Sequence, residues 1–357
     1  MKLIIQIPCL NEESQLPTSL GALPRAVPGF DVVEWLVIDD GSDDRTIEVA
    51  KEHGVDHIVR MPQNRGLAAA FQAGLDASLK LGADVIVNTD ADNQYDASYI
   101  PMLVAPILQG RADLVVGDRN VRGVEEFSRL KIRLQLLGSW VVRRASETEV
   151  PDATSGFRAY DREAAIQLTV VNRYTYTIES LIQAGKMNAA VASIPVDTNA
   201  KMRESRLFGS MWGYIRRNIL TIGRVFAAYE PLKFFSTIAA VLFVMGLVAF
   251  IPFAADWLLN GDSSGHLQSI VLGAVLVLGS LQVAVLAVVA DLISSHRMVS
   301  QRILERVRRV ELQLGVPPSH YEPGTVTTTT TTPTTSSSEP PSGASRTVRH
   351  STVYDNS

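Results

Sequence analysis

The sequence predicts an α/β fold, a mostly parallel sheet with helices on both faces, followed by a two-helix hairpin that crosses a membrane. Two observations carry that expectation. Short apolar runs at 3–8, 33–38, 56–59, 84–88 and 113–116 alternate with stretches at helical period at 42–53, 65–81 and 97–109. Such alternation implies parallel strands joined by crossover helices. Further on, Phe234 to Ala255 and Leu267 to Ala290 hold 22 and 24 residues without a charge. Each matches the roughly 20 residues that cross a bilayer core.

The first strand begins almost at the amino terminus. MKLIIQIPCLNEE carries one Lys, a short apolar run and then acidic residues. It lacks the long apolar region and small-residue cleavage site of a signal peptide, so Leu3 to Pro8 reads as a buried strand. A net charge of −4 provides no global field for nucleic acid. The single cysteine, Cys9, excludes an internal disulfide framework and fits a reducing compartment.

In sheets of this kind ligands bind beyond the carboxyl ends of the strands. The first strand ends in PCLNEE and the second in VIDDGSDDRT. Ser42 reads as an N-cap with Asp43 and Asp44 in the first helical turn, which leaves Asp39 and Asp40 unexplained by capping. Carboxylates there would accept N–H groups of a nucleobase or hydroxyls of a ribose. The fourth strand ends in NTDADNQYD. An EF-hand fails on spacing, because with Asp90 as position one, Tyr95 stands at six and Pro101 at twelve. Zinc is disfavoured by the lack of nearby His or Cys. A solvated turn and a hard-cation site with open positions for phosphate oxygens both remain. Asp96 is placed to cap the helix that follows. No G-x-x-x-x-G-K-[ST] occurs, and no G-x-G-x-x-G follows the first strand.

The membrane portion is oriented by its flanks. Arg216, Arg217, Arg224 and Lys233 precede the first apolar run, and Arg297, Arg302, Arg306, Arg308 and Arg309 follow the second. The loop between carries Asp256 and Asp262 without Lys or Arg. Positive charge stays inside, so both termini and the large amino-terminal domain are expected on the cytoplasmic side of a multi-pass plasma-membrane protein. Five regions follow: a domain over 1–206, an amphipathic helix over 207–230, the hairpin over 231–293, a second amphipathic helix over 294–315 and a tail over 316–357. The first amphipathic helix sets Phe208, Trp212, Tyr214 and Ile215 among arginines, suited to the membrane interface or to packing on the domain. In the second, Ile303, Val307, Val310 and Leu314 form a stripe for lipid headgroups or for the subunits of a homo-oligomer. The Thr/Ser/Pro tail is expected to be disordered.

Order along the chain is more telling than any single motif. PCLNEE, VIDDGSDDRT, NRGLAAAFQAGLDAS, NTDADNQYD, VVGDRN and DATSGFRAYDREA together resemble family 2 glycosyltransferases with the GT-A fold, over roughly residues 2 to 210. Within that family the chain looks like the polyprenyl-phosphate (dolichol-phosphate) glycosyltransferases. The resemblance implies that Pro8, Asn11 and Glu12 line a nucleotide pocket, that Asp39 contacts the base with Asp40 beside it, and that Asn64 and Gly66 form the adjoining turn. It further implies Mg2+ or Mn2+ on Asp90, Asp92 and Gln94, Arg119 near the reacting phosphates, and Arg203 and Arg206 closing over the diphosphate. Relatives often carry an Arg-x-x-x-Ser pair before DATSGFRAY for the acceptor phosphate. Here Lys131 and Gln135 align with it, and Lys131, or else Arg129 or Arg133, would bind the phosphate, Lys131 as a point charge.

The expected reaction is inverting hexose transfer from a UDP- or GDP-linked sugar to polyprenyl phosphate. A lipid phosphate is already ionised and needs no general base. A hydroxyl acceptor on a lipid-linked glycan, the alternative, would need one, and Asp152 is the candidate, its bland role being to brace a loop. A catalytically silent nucleotide-binding scaffold is the reading from outside enzymology.

Overall fold

The structure, a computed structural model, describes residues 1–119, 150–170, 176–199, 223–224, 227–260 and 266–324. Its centre is one eight-stranded sheet in the order β7-β5-β6-β4-β1-β2-β3-β8. The strands are β1 (Lys2–Cys9), β2 (Val32–Asp39), β3 (His57–Arg60), β4 (Val85–Asn88), β5 (Leu114–Asp118), β6 (Arg158–Asp161), β7 (Val191–Pro195) and β8 (Tyr321–Pro323). The helices are α1 (Leu16–Ala22), α2 (Thr46–Glu52), α3 (Leu67–Lys80), α4 (Ile100–Leu108), α5 (Arg162–Gln167), α6 (Tyr176–Lys186), α7 (Pro231–Asn260) and α8 (Leu267–Gln313). β1 to β4 are mutually parallel, as are β5 and β7. β6 runs antiparallel to β4 and β5, and β8 antiparallel to β3.

The period of two along a strand explains the two cores. Leu3, Ile5 and Ile7 of β1 join Val37, Val85, Val87, Leu103 and Val104 on one face. Ile4 joins Leu36, Ile38, Ile86, Phe71 and Leu75 on the other. Burial on both faces makes these strands continuous apolar runs, which is why they are legible in the sequence. Pro8 sits in a central strand without breaking it. The Gln6 carbonyl accepts Thr89 N from the β4 side, and pairing with β4 ends at Gln6. Pro8, two residues on, turns its missing N–H to the same side, where no ladder remains to lose it.

β1 leads through α1 to β2 on one side, whereas β3 leads through α3 to β4 on the other. The chain order therefore reverses between β1 and β4, the place where the carboxyl-end loops diverge to open a crevice. β6, with the sequence RAYD, β7, with VASIP, and the short β8 are not among the expected strands.

α7 and α8 are long and apolar enough to cross a membrane. They pack antiparallel through small residues. A Cβ on Gly246 would lie 2.8 Å from Val277 Cγ2, and one on Gly273 would lie 2.8 Å from the Phe250 ring. Glycines let the backbones approach that closely. Val241, Val244, Val248 and Ile251 remain exposed on the outside of the pair.

Two expectations for the carboxyl-terminal part are corrected. The second span and the amphipathic helix after it are one helix, α8, of 47 residues. At 1.5 Å per residue it is about 70 Å long, more than twice a bilayer core. Its far end docks on the domain by the arginine face. Arg308 Nη1 donates to the carbonyls of Ile166 (2.6 Å) and Leu168 (2.9 Å) at the carboxyl end of α5. A cation there meets both orphaned carbonyls and the negative end of the helix dipole. Arg309 pairs with Glu163, and Glu311 with Lys80 at 3.0 Å. Ile303, Val307, Val310 and Leu314 stay exposed. The tail expected to be disordered from 316 instead returns to the sheet, where Tyr321–Pro323 form β8.

Candidate active site

The loops after β1 and β2 are laced together by side chains. Asn11 adopts a left-handed backbone (φ 54°), which Asn tolerates, and its Oδ1 accepts Asp43 N at 2.9 Å. Asn11 N donates to Ser42 Oγ, and Glu12 N donates to Thr46 Oγ1, both at 2.9 Å. Ser42 is therefore a strap between loops and not the expected N-cap. α2 starts at Thr46, whose N–H is met by Asp44 Oδ1 at 3.0 Å. Cys9 is buried, and burial with the surrounding carboxylates holds its thiol well above its ordinary pKa, a packing residue and not a nucleophile.

Asp39 and Asp40 are adjacent and both buried, with different duties. Asp40 accepts Arg65 N at 2.7 Å and Gly66 N at 2.8 Å, one on each oxygen. It braces the turn that begins α3. Asn64 helps by accepting Gly66 N at 3.0 Å. Gly41 (φ 78°) completes the arrangement, since a Cβ there would lie 2.8 Å from Asn64 N. Asp39 uses Oδ1 to accept Ser42 N at 3.1 Å, while its buried Oδ2 has no partner among the described residues. A buried carboxylate oxygen left unpaired is costly, and a ligand N–H or O–H would satisfy it.

Beyond β4 the chain turns through Asp90, Asp92 and Gln94. Asp90 is half-buried and Asp92 exposed. Burial and the Asp92 charge push the Asp90 carboxyl up to about 7, against the pull of Arg119. Two carboxylates thus crowd one crevice, a charge arrangement that a divalent cation relieves. No group of three His, Cys, Asp or Glu suited to a metal occurs among the described residues. Asp90 and Asp92 would suit Mg2+ or Mn2+, which commonly take one or two carboxylates and complete their shell with water and substrate phosphates. Gln94 is fixed by its backbone, donating to Asp92 Oδ1 at 3.1 Å and accepting Asn199 N at 2.9 Å. Asp96 accepts Ser98 N at 2.8 Å and caps the short turn before α4, as expected.

The wall opposite Asp90 comes from the loop before β6. A Cβ on Gly156 would lie 3.1 Å from both Asp90 oxygens and 2.6 Å from the Tyr176 hydroxyl, so only glycine fits. Gly156 N donates to the Tyr95 hydroxyl, and its carbonyl accepts Asn88 Nδ2, both at 2.9 Å. Asn88 in turn accepts Gln6 Nε2 at 2.9 Å, so a buried polar ladder runs across β1, β4 and β6 beneath the site. Arg158, wholly buried, donates to the carbonyls of Ala153, Ser155 and Thr177 and to Ser180 Oγ at 2.7–2.8 Å. Sequence reasoning missed Gln6, Asn88, Gly156 and Arg158; buried polar residues inside apolar strands were the available signal.

Arg119 follows β5 and reaches across to Asp152. Its Nε and Nη2 meet the two carboxylate oxygens at 2.7 and 3.2 Å, and Nη2 also donates to Thr154 Oγ1 at 2.9 Å. Burial would raise the Asp152 carboxyl, but Arg119 and Thr154 hold it below its ordinary value. This carboxylate is committed to a bidentate ion pair and braces Arg119. Lys131, Gln135, Arg203, Arg206 and most of the helix expected over 207–230 (207–222 and 225–226) lie outside the described residues.

The paired carboxylates Asp90 and Asp92, the braced Arg119 and the unsatisfied Asp39 Oδ2 all stand at or after the carboxyl ends of strands, where ligands of such sheets bind. Residues 4–169 match the family described as glycosyl transferase family 2. The chain belongs to that family. It is 29% identical over 244 residues to an undecaprenyl-phosphate mannosyltransferase of Micrococcus luteus, a match spanning 65% of this chain and 98% of the relative. It is 31% identical to a polyprenol monophosphomannose synthase of Mycolicibacterium smegmatis, over 58% and 81% of the two chains. A dolichyl-phosphate hexose transferase of Haloferax volcanii is 30% identical, over 55% and 82%. The protein is a glycosyltransferase, and relatives so named support hexosyl transfer to a polyprenyl phosphate.

Proposed function

We propose that this protein transfers a hexose, with inversion, from a nucleoside-diphosphate sugar to polyprenyl phosphate at the cytoplasmic face of the plasma membrane. Asp39 is the base-side acceptor, beside Pro8, Asn11 and Glu12. Asp90 and Asp92, with Gln94 alongside, would hold Mg2+ or Mn2+, which when bound supplies Lewis-acid stabilisation of the departing diphosphate. Arg119, held by Asp152, presents fixed positive charge towards the same crevice. Lys131 and Arg203 with Arg206 are assigned to the acceptor phosphate and to the diphosphate.

The observation that carries the acceptor class is the Arg119–Asp152 fork, at 2.7 and 3.2 Å. A hydroxyl acceptor would need a base, and the candidate base is engaged with its pKa lowered. A lipid phosphate arrives ionised and asks for none. α7 and α8 would keep the domain at the surface where such a phosphate lies.

The test is transfer by membranes holding the full chain, with UDP-glucose, UDP-GlcNAc and GDP-mannose offered in turn. One donor is expected to support transfer with Mg2+ or Mn2+, and chelation or Asp92→Ala to abolish it. Full activity in Asp92→Ala would refute the metal assignment.

A further inference from the structure

Asp39, Ser42 and Arg60 line a cleft of ≈ 500 Å³ at the carboxyl ends of β2 and β3, and its other wall is His320, Tyr321 and Glu322. That volume suits a nucleoside. The second wall belongs to the part of the chain that returns from the hairpin. We propose that the segment His320–Glu322 completes the nucleoside subsite of the donor, with His320 as a positioning and selectivity residue for the base or ribose. This rests on the donor reading above and adds a region of the chain outside the matched family segment, 4–169.

The wall is built, not incidental. α8 stops at Gly315 (φ 65°), where Val316 N donates back to the Glu311 carbonyl at 3.1 Å. Prolines 317 and 318 then forbid its continuation. β8 pairs with β3 in the register Val59↔Tyr321, Ile58↔Glu322 and His57↔Pro323. Beyond the ladder, Arg60 N donates to the His320 carbonyl, and Gly324 N donates to the Asp56 carbonyl, both at 2.9 Å. A Cβ on Gly324 would fall 1.8 Å from the Val55 carbonyl oxygen, so only glycine permits this seat.

Side chains fix the strand on both faces. The Tyr321 hydroxyl meets His57 Nδ1 at 3.0 Å, and His57 Nε2 meets Glu34 at 2.7 Å. Glu322 pairs with Lys51 at 3.3 Å. Tyr321 and Glu322 are thereby spoken for. His320 is exposed, takes a left-handed backbone (φ 57°), and its imidazole has no hydrogen-bond partner among the described residues. Covering the edge of β3 accounts for residues 321–323. It does not account for an exposed histidine with a left-handed backbone at the rim of a cleft that Asp39 also lines.

The test uses the purified full-length protein with Mn2+, titrated calorimetrically with UDP, GDP and inorganic pyrophosphate. In His320→Ala, the nucleotide that the unmodified protein binds is expected to bind about tenfold more weakly, the loss of one hydrogen-bonding or stacking contact, with pyrophosphate unchanged. Gly324→Val, which unseats the strand, should weaken nucleotide at least as much, again sparing pyrophosphate. Equal weakening of nucleotide and pyrophosphate, or none of either, overturns the inference while leaving the donor reading intact. If neither nucleotide binds the unmodified protein, the donor reading falls and the inference with it.

Discussion

Replacing Asp152 by Asn separates the two roles a carboxylate in this position can play. Asp152 is 2% exposed, and it meets the guanidinium of Arg119 with both oxygens. Asn keeps the shape and one acceptor but leaves the buried cation without its charge partner. Breaking a buried pair from one side costs about 3–5 kcal/mol, and the retained hydrogen bond places the expected loss near the lower figure. The folded-state pKa of Asp152 is lowered, so its stabilising contribution is full above the ordinary carboxylate range. It is lost only as the pH falls through the lower folded value. Between pH 5 and 8 that contribution is constant. Thermal unfolding across this range should show Asp152→Asn destabilised by the same amount throughout. The turnover rate should fall because Arg119 loses its brace, with the shape of the pH–rate profile unchanged. An acidic limb between pH 5 and 8 that disappears in Asp152→Asn would show a titrating base and refute the bracing role.

Three further outcomes follow from the geometry. Gly156→Ala puts a methyl 3.1 Å from both Asp90 oxygens and 2.6 Å from the Tyr176 hydroxyl; overpacking should cost about 1–3 kcal/mol by thermal melt and raise the metal concentration for half-maximal activity. Asp40→Asn should lower stability by about 1–3 kcal/mol because one of the Arg65 and Gly66 N–H groups loses its acceptor, whereas Asp39→Asn should weaken nucleotide binding with little change in melting. Arg308→Met leaves the Ile166 and Leu168 carbonyls uncapped and should release the end of α8 from α5, read as faster amide hydrogen exchange over 300–313.

The parallel core was legible because β1 to β5 are buried on both faces and read as apolar runs between helical stretches. The motif order pointed to the same crevice that the sheet reversal creates. β6 was not legible because Arg158 and Asp161 bracket it, and a buried arginine satisfied by backbone carbonyls has no local signature. Ser42 misled because a serine before a helix caps more often than it straps two loops. The docking of α8 was not legible: an amphipathic pattern shows that a helix has two faces, but not which partners each one meets. Here the arginines found carbonyl and carboxylate partners, and the apolar stripe was left outside. β8 escaped because a three-residue strand beside a Thr/Ser/Pro tract carries no period at all.

Whether the acceptor is a phosphate or a hydroxyl is decided by the product. Full-length protein in membranes with polyprenyl phosphate, Mg2+ and the labelled sugar donor it accepts should yield a lipid-extractable product. A sugar linked directly through phosphate is released by mild acid as the free monosaccharide, and complete release in that form is expected. Label that survives the treatment on lipid, or leaves as part of a larger glycan, would place the sugar on a hydroxyl and overturn the phosphate acceptor.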